Sequence, residues 1–153
     1  MFLFKHNHKL FSLKDILEIK KKYKFKNLNI LDFGCNTGVW EEKELKKKPI
    51  KIFLYDKNKK LIPILNKKYT SKKIILSFDK KKIFNKKINL IIFSSVIQYM
   101  SHKELRNIFL KIIKTYQNKR LLILVNDLPI FPRYIEIFLL PLINLKVFVY
   151  SLS

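Results

Sequence analysis

Apolar residues along this chain fall into two patterns, short continuous runs and longer stretches spaced at three and four. The runs at 29–33, 50–55, 74–78, 88–94 and 121–125 are rich in Ile, Leu and Phe, and that at 88–94 is almost unbroken, as expected of a strand buried on both faces of a parallel sheet. Ser12 opens a helical stretch, with Asp15 three residues on and Leu13, Ile16, Leu17 and Ile19 near one face. Ser101 opens another, with Glu104 as its capping-box partner and Leu105, Ile108, Phe109, Ile112 and Ile113 on the apolar side. Segment 39–48 predicts a helix that carries Glu41 and Glu42 early and Lys46, Lys47 and Lys48 late, and stops at Pro49. That charge order suits the helix dipole. Segment 61–69 predicts a helix with Pro63 in its first turn, and 79–87 reads as a lysine-rich loop. Strands alternating with helices in this way predict an α/β fold, a doubly wound and mostly parallel sheet with right-handed crossovers and a crevice at the carboxyl ends of its strands.

The helix at Ser12 is read as preceding the sheet. The chain divides into an N-terminal helix and basic connection at 1–27, a core at 28–127 and a short C-terminal segment at 128–153, all in one domain of 153 residues. In that last segment 131–140 reads as helix, broken by Pro141, and 145–150 as a last strand. The length leaves room for one strand and hardly two, so the sheet is expected to be truncated after its fifth strand.

The two glycines of the whole chain, Gly34 and Gly38, stand four residues apart directly after the run at 29–33. Glycine is hard to replace where φ is positive or where something must approach the main chain closely. A glycine turn between a strand and a helix is where α/β sheets receive nucleotide-like ligands. Asp32, Asp56, Asp79 and the pair Ser94 and Ser95 also stand at ends of predicted strands, and topology alone brings them to one crevice. An acid ending the second strand accepts the hydroxyls of a ribose in such sheets, and Asp56 lies at about the expected interval past the glycines.

Composition adds a formal charge of +22, with thirty lysines against three arginines. Scarce arginine weakens a base-reading nucleic-acid role, and a solvated basic surface is the simpler account. RNA or an anionic membrane surface stays among the candidate partners. One cysteine, Cys35, excludes an internal disulfide and fits a reducing, cytoplasmic compartment. His6, His8 and His102 have no zinc spacing. No run reaches the length of a membrane span; 137–145 is the nearest, a candidate for peripheral docking or for a buried helix.

A dinucleotide would need a glycine where Asn36 stands and a third one beyond, and Asp32, Glu41 and Glu42 oppose a diphosphate. A cationic ligand suits the loop better. Leu31-Asp32-Phe33-Gly34-Cys35-Asn36-Thr37-Gly38 resembles the glycine-rich first motif of class I S-adenosylmethionine-dependent methyltransferases. Leu54-Tyr55-Asp56-Lys57-Asn58 resembles their second motif, and Ile88 to Met100, containing the stretch from Phe93 to Tyr99, their fourth-strand segment and following turn. The resemblance spans roughly 28–127.

It implies S-adenosylmethionine as cofactor. The methionine portion would be held by Asp32 and the backbone of Gly34, Cys35, Asn36 and Gly38, and the ribose by Asp56, with Lys57 or Asn58 beside the adenosine. Asp79 would accept from the adenine amino group with Phe78 flanking the ring, or would be a plain loop acid. Phe93 and Ser94 would line the cofactor; Gln98 and Tyr99 would face the transfer site. Trp40 is expected to pack beneath the loop. The resemblance implies methyl transfer, with a small molecule or saccharide favoured over RNA as acceptor; a non-catalytic cofactor-binding or basic RNA- or membrane-binding protein is the alternative. Asp127, Tyr99 and His102 are the candidate catalytic groups, with Tyr134 as a further orienting one. Gly38 is expected to abut the ligand, and Asp56 to serve the ligand and not the core.

Overall fold

The computed structural model describes residues 2–5, 12–45, 48–84, 86–116, 120–126 and 149–152. In chain order the elements are β1 (Phe2–Lys5), α1 (Leu13–Lys22), β2 (Leu28–Phe33), α2 (Glu42–Leu45), β3 (Ile50–Tyr55), a 3-10 turn (Lys59–Leu61) running into α3 (Ile62–Lys68), β4 (Ile74–Ser77), α4 (Lys80–Phe84), β5 (Leu90–Ser94), a second 3-10 turn (Ile97–Tyr99), α5 (His102–Tyr116), β6 (Leu122–Asn126) and β7 (Val149–Leu152). One seven-stranded sheet has the order β4-β3-β2-β5-β6-β1-β7, and every pairing in it is parallel. The chain walks one way from β2 through β4 and the other way from β5 to β6. The connections leaving β2 and β5 therefore diverge, and a crevice opens between them at the carboxyl edge.

Side-chain alternation divides the core into two layers. Ile30, Ile52, Leu54, Leu90 and Ile92 face Ile16 and Ile19 of α1, Leu45 of α2 and Leu65 of α3. Leu31, Phe33, Phe53, Ile91, Phe93 and Val125 face Ile83 and Phe84 of α4 and Leu105, Ile108, Phe109 and Ile112 of α5. Neighbouring residues of a strand point to opposite faces, so Asp32 falls on the α1/α3 side and Phe33 on the α4/α5 side. The capping box expected at Ser101 is present, its Oγ accepting from Glu104 N–H at 3.2 Å, and the Ser12 cap forms a second one, its Oγ accepting from Asp15 N–H at 3.2 Å.

Four features depart from the sequence reading. The sheet does not stop at the fifth expected strand, β6: β1, formed by N-terminal residues outside every expected strand, lies beyond it, and β7, which overlaps the last strand expected at 145–150, pairs with β1. The helix expected at 39–48 is a single turn, Glu42–Leu45. Its first residues are drawn into other bonds: Trp40 N–H donates to the Tyr69 hydroxyl, and the Glu42 carboxylate accepts the N–H groups of Thr70 and Ser71, each at 2.6 Å. The lysine-rich loop contains α4, which buries Ile83 and Phe84. The run at 88–94 pairs only from Leu90, while Ile88 N–H bonds the Lys86 carbonyl. Segments 131–140 and 137–145, with Tyr134, His6 and His8, lie outside the described residues.

Candidate functional site at the carboxyl edge of the sheet

The crevice is a cavity of about 360 Å³. Its walls are Phe33, Gly34 and Asn36 after β2, Tyr55, Asp56, Lys57 and Asn58 after β3, Lys80 from α4, Ser94, Ser95 and Val96 after β5, and Tyr99, Met100, Glu104 and Ile108 leading into α5. Three strand ends thus meet there, as the topology requires.

The glycine loop is bent by three left-handed residues, Gly34 at φ 80°, Asn36 at φ 48° and Gly38 at φ 71°. Gly34 and Cys35 donate N–H to the Tyr55 carbonyl at 2.8 and 3.1 Å, which ties the end of β2 to the end of β3. A Cβ on Gly34 would overlap the Val96 side chain, so this glycine permits the loops after β2 and β5 to touch. Gly38 has a different reason. Its N–H closes the turn onto the Cys35 carbonyl at 2.8 Å, and a Cβ there would meet the Tyr69 ring, 2.7 Å from Cε2 and 2.9 Å from Cζ. Gly38 does not line the cavity; the space a side chain would take belongs to Tyr69, not to a ligand. Burial pushes the Tyr69 hydroxyl up to about 12, and Lys68 Nζ donates to the Gly38 carbonyl at 2.5 Å, so the end of α3 supports the loop from behind.

Asp32 is 4% exposed and also lies behind the loop. Its Oδ2 accepts from Trp40 Nε1 at 2.8 Å, which places Trp40 beneath the loop. Burial raises the Asp32 carboxyl to about 6, with the indole bond opposing and the Asp56 charge adding. Cys35 is packed into the α1/α3 layer. Burial above all, then the charges of Asp32 and Asp56, raises its thiol far above the ordinary range, which disfavours the thiolate.

Asp56 does reach the cavity, and it also braces it. Its Oδ2 accepts from Asn36 N–H at 3.0 Å and its Oδ1 from Asn58 N–H at 2.8 Å, joining the loops after β2 and β3. The expectation that Asp56 serves only a ligand is corrected by these two bonds. Asp79 lies outside the cavity lining: its Oδ1 accepts from Lys81 N–H at 2.8 Å and Lys82 N–H at 3.3 Å, capping α4 and lowering its pKa chiefly through the Lys81 bond. This is the plain structural alternative for that acid. Phe93 is fully buried between Phe33 and Phe109, with ring centroids at 5.2 and 5.5 Å, and Phe78 packs with the α1/α3 layer. Ser94 and Lys57 line the cavity. Tyr99 does so at 73% exposure, whereas His102 and Gln98 are exposed and are not among the lining residues. Asp127 lies outside the described residues.

Sequence reasoning missed Tyr55, Lys80, Val96 and Glu104 as lining residues. Glu104 was read only as a cap, yet a cap at the start of a helix entered from the carboxyl edge has to stand at the crevice. Bonds from Ser101 N–H and Oγ, both at 3.0 Å, lower its pKa and hold it as a carboxylate. Among the described residues no three His, Cys, Asp or Glu side chains gather as a metal site, and no helix is long and apolar enough to cross a membrane.

No family model and no curated protein matches this sequence. Among solved structures the chain is similar to that of SAM-bound CalS10, an amino pentose methyltransferase from Micromonospora echinaspora involved in calicheamicin biosynthesis, at 15% identity and a TM-score of 0.52. The match covers 84% of this chain and 61% of that one, so the chain spans about three fifths of that protein's length. An all-parallel sheet flanked by helices on both faces, with its crevice at the carboxyl edge, is a Rossmann-like fold, which this chain shares with that structure.

Proposed function

We propose that the chain binds S-adenosylmethionine in the carboxyl-edge cavity and transfers its methyl group to a small molecule or saccharide. The observation that carries this reading is where the carboxylates stand. In a chain of formal charge +22, Asp56 and Glu104 line the cavity and match its two lysines, Lys57 and Lys80, and Asp32 lies behind the loop, so carboxylates stand beside the glycine loop where a sulfonium and an ammonium would lie. The backbone fits the same ligand. Gly34 and Asn36 present a left-handed main chain at the wall, and α2, beginning only at Glu42, offers no helix start for a pyrophosphate.

When bound, the cofactor supplies an electrophilic methyl group, so the protein's task is alignment and exclusion of water. Asp56 would hold the ribose: each of its oxygens accepts one N–H and keeps a further lone pair for a hydroxyl. Gly34 and Asn36 would hold the methionine portion, and Phe33 and Tyr55, with ring centroids at 4.6 Å, give the cavity a rigid apolar floor. Tyr99, at the mouth, would orient the acceptor, and the Glu104 carboxylate would draw in a cationic one such as a protonated amine, which must give up a proton to solvent before its nitrogen is nucleophilic. A base is not required where the acceptor is already nucleophilic; His102 and Asp127 belong to the proposal only for a hydroxyl acceptor. The saccharide acceptor rests on the amino pentose substrate of CalS10, and a reducing, cytoplasmic setting on the single cysteine. Calorimetry with S-adenosylmethionine, S-adenosylhomocysteine and NADH tests the reading: the first two are expected to bind and NADH to fail. Absence of heat with both sulfur ligands overturns it.

A further inference from the structure

The described loops that enter β2 to β6 end at the edge opposite the cavity, and they carry bases without acids. Lys26 precedes β2, Lys48 precedes β3, Lys72 precedes β4, Lys86 and Lys87 precede β5, and Arg120 precedes β6; all six are exposed. The described acids stand at the carboxyl edge or along α1 and α2; of these, Glu42 reaches the loop before β4, where its carboxylate is taken up by the N–H groups of Thr70 and Ser71. The edge is one surface. Leu28 N–H bonds the Pro49 carbonyl at 3.0 Å, Ile52 N–H the Lys73 carbonyl at 2.8 Å and Leu122 N–H the Asn89 carbonyl at 3.0 Å. Asn29 Nδ2 reaches the Lys87 carbonyl at 2.7 Å, and Lys73 Nζ the Lys48 carbonyl at 2.7 Å. At the usual strand spacing, the row from β4 to β6 is about 19 Å long.

We propose that this amino edge is a binding surface for a nucleic-acid strand, gripped through its phosphates without reading its bases. Lysine supplies compact point charges and no bidentate fork for base edges, and the row is long enough to meet several successive phosphates. An anionic membrane is the poorer partner: the exposed large apolar residues among those described are Val39, Ile64, Tyr99 and Leu110, and none of them stands in these loops to anchor a bilayer. The strands separate this edge from the cavity by about 20 Å, so a bound strand leaves the cavity free. The surface does not depend on the methyltransferase reading.

The test is fluorescence anisotropy of the full chain with a labelled 20-nucleotide oligouridylate at 50 and 200 mM salt. Four to five phosphate contacts predict about a 50- to 130-fold weakening across that range. A variant carrying K26Q, K48Q, K72Q, K86Q and K87Q is expected to lose that salt-dependent binding. A control that removes five exposed lysines elsewhere, K14Q, K43Q, K59Q, K81Q and K103Q, is expected to keep most of it, with melting temperatures establishing that both fold. Equal loss in the two variants overturns the proposal, since the charge then acts diffusely. So does tight binding to phosphatidylserine vesicles without binding to the oligonucleotide. Competition between oligouridylate and S-adenosylhomocysteine overturns it as well, by moving the strand to the cavity.

Discussion

Asp56 accepts one backbone N–H on each carboxylate oxygen, from Asn36 and from Asn58, so at the residue scale its replacement has two consequences. Asp56→Ala is expected to abolish the stabilisation that S-adenosylhomocysteine brings and also to lower the unliganded stability by about 1 to 3 kcal/mol, as two bonded N–H groups lose a charged acceptor. Denaturant titration with and without ligand checks both; unchanged unliganded stability would show that the loops do not need the carboxylate. Asp32 supports a pH prediction. Its carboxyl holds its proton to about 6 in the folded chain against an ordinary value of 3.8, so between those values the folded state binds more protons than the unfolded one and stability falls as pH rises. Above that window the full penalty of the buried charge remains, of the order of 3 kcal/mol. Asp32→Asn keeps an acceptor for Trp40 Nε1 and should remove this fall, leaving the variant more stable than the parent at pH 7. Denaturation midpoints of both proteins from pH 4 to 7 decide it, and parallel curves would contradict it.

At the scale of elements, the glycine loop and α3 form one unit. Tyr69 receives the Trp40 N–H on its hydroxyl and fills the space beside Gly38. Gly38→Val is therefore expected to destabilise the unliganded fold by more than about 2 kcal/mol, from overlap with the ring and a left-handed φ together. Tyr69→Phe, which keeps the ring and orphans a buried N–H, should cost about 1 to 2 kcal/mol. Chemical denaturation of the two variants measures this. A valine variant that keeps the parental midpoint and loses only ligand affinity would return Gly38 to the ligand wall.

Across the whole molecule, β1 links β6 to β7, pairing Phe2 with Ile123 on one side and with Val149 on the other. Without it, β6 becomes an edge and β7 has no neighbour. Deleting residues 1–6 should lower the melting temperature by roughly 5 °C or more, equivalent to about 2 kcal/mol in a domain of this size. A truncated chain that melts with the parent would show that the two outer strands contribute nothing to stability.

What the sequence by itself determined are features set within a few residues. Strand β3 was legible at 50–55 because its run is short, apolar and bounded by Pro49 and Asp56, and the caps at Ser12 and Ser101 because a serine and an acid three residues on suffice to build one. The glycine loop, and the meeting of Asp56 and Ser94 at one edge, followed from strand order alone. Tertiary structure decided why each glycine is needed, since Val96 and Tyr69 stand far along the chain from Gly34 and Gly38, and periodicity carries no trace of such contacts. It also decided the shortness of α2, where bonds to Tyr69, Thr70 and Ser71 outweigh a favourable helical charge pattern. The place of β1 beside β6 was hidden for the same reason: three apolar residues and a lysine do not say which edge of a sheet they will close, because that depends on the strand already lying there with unpaired backbone groups.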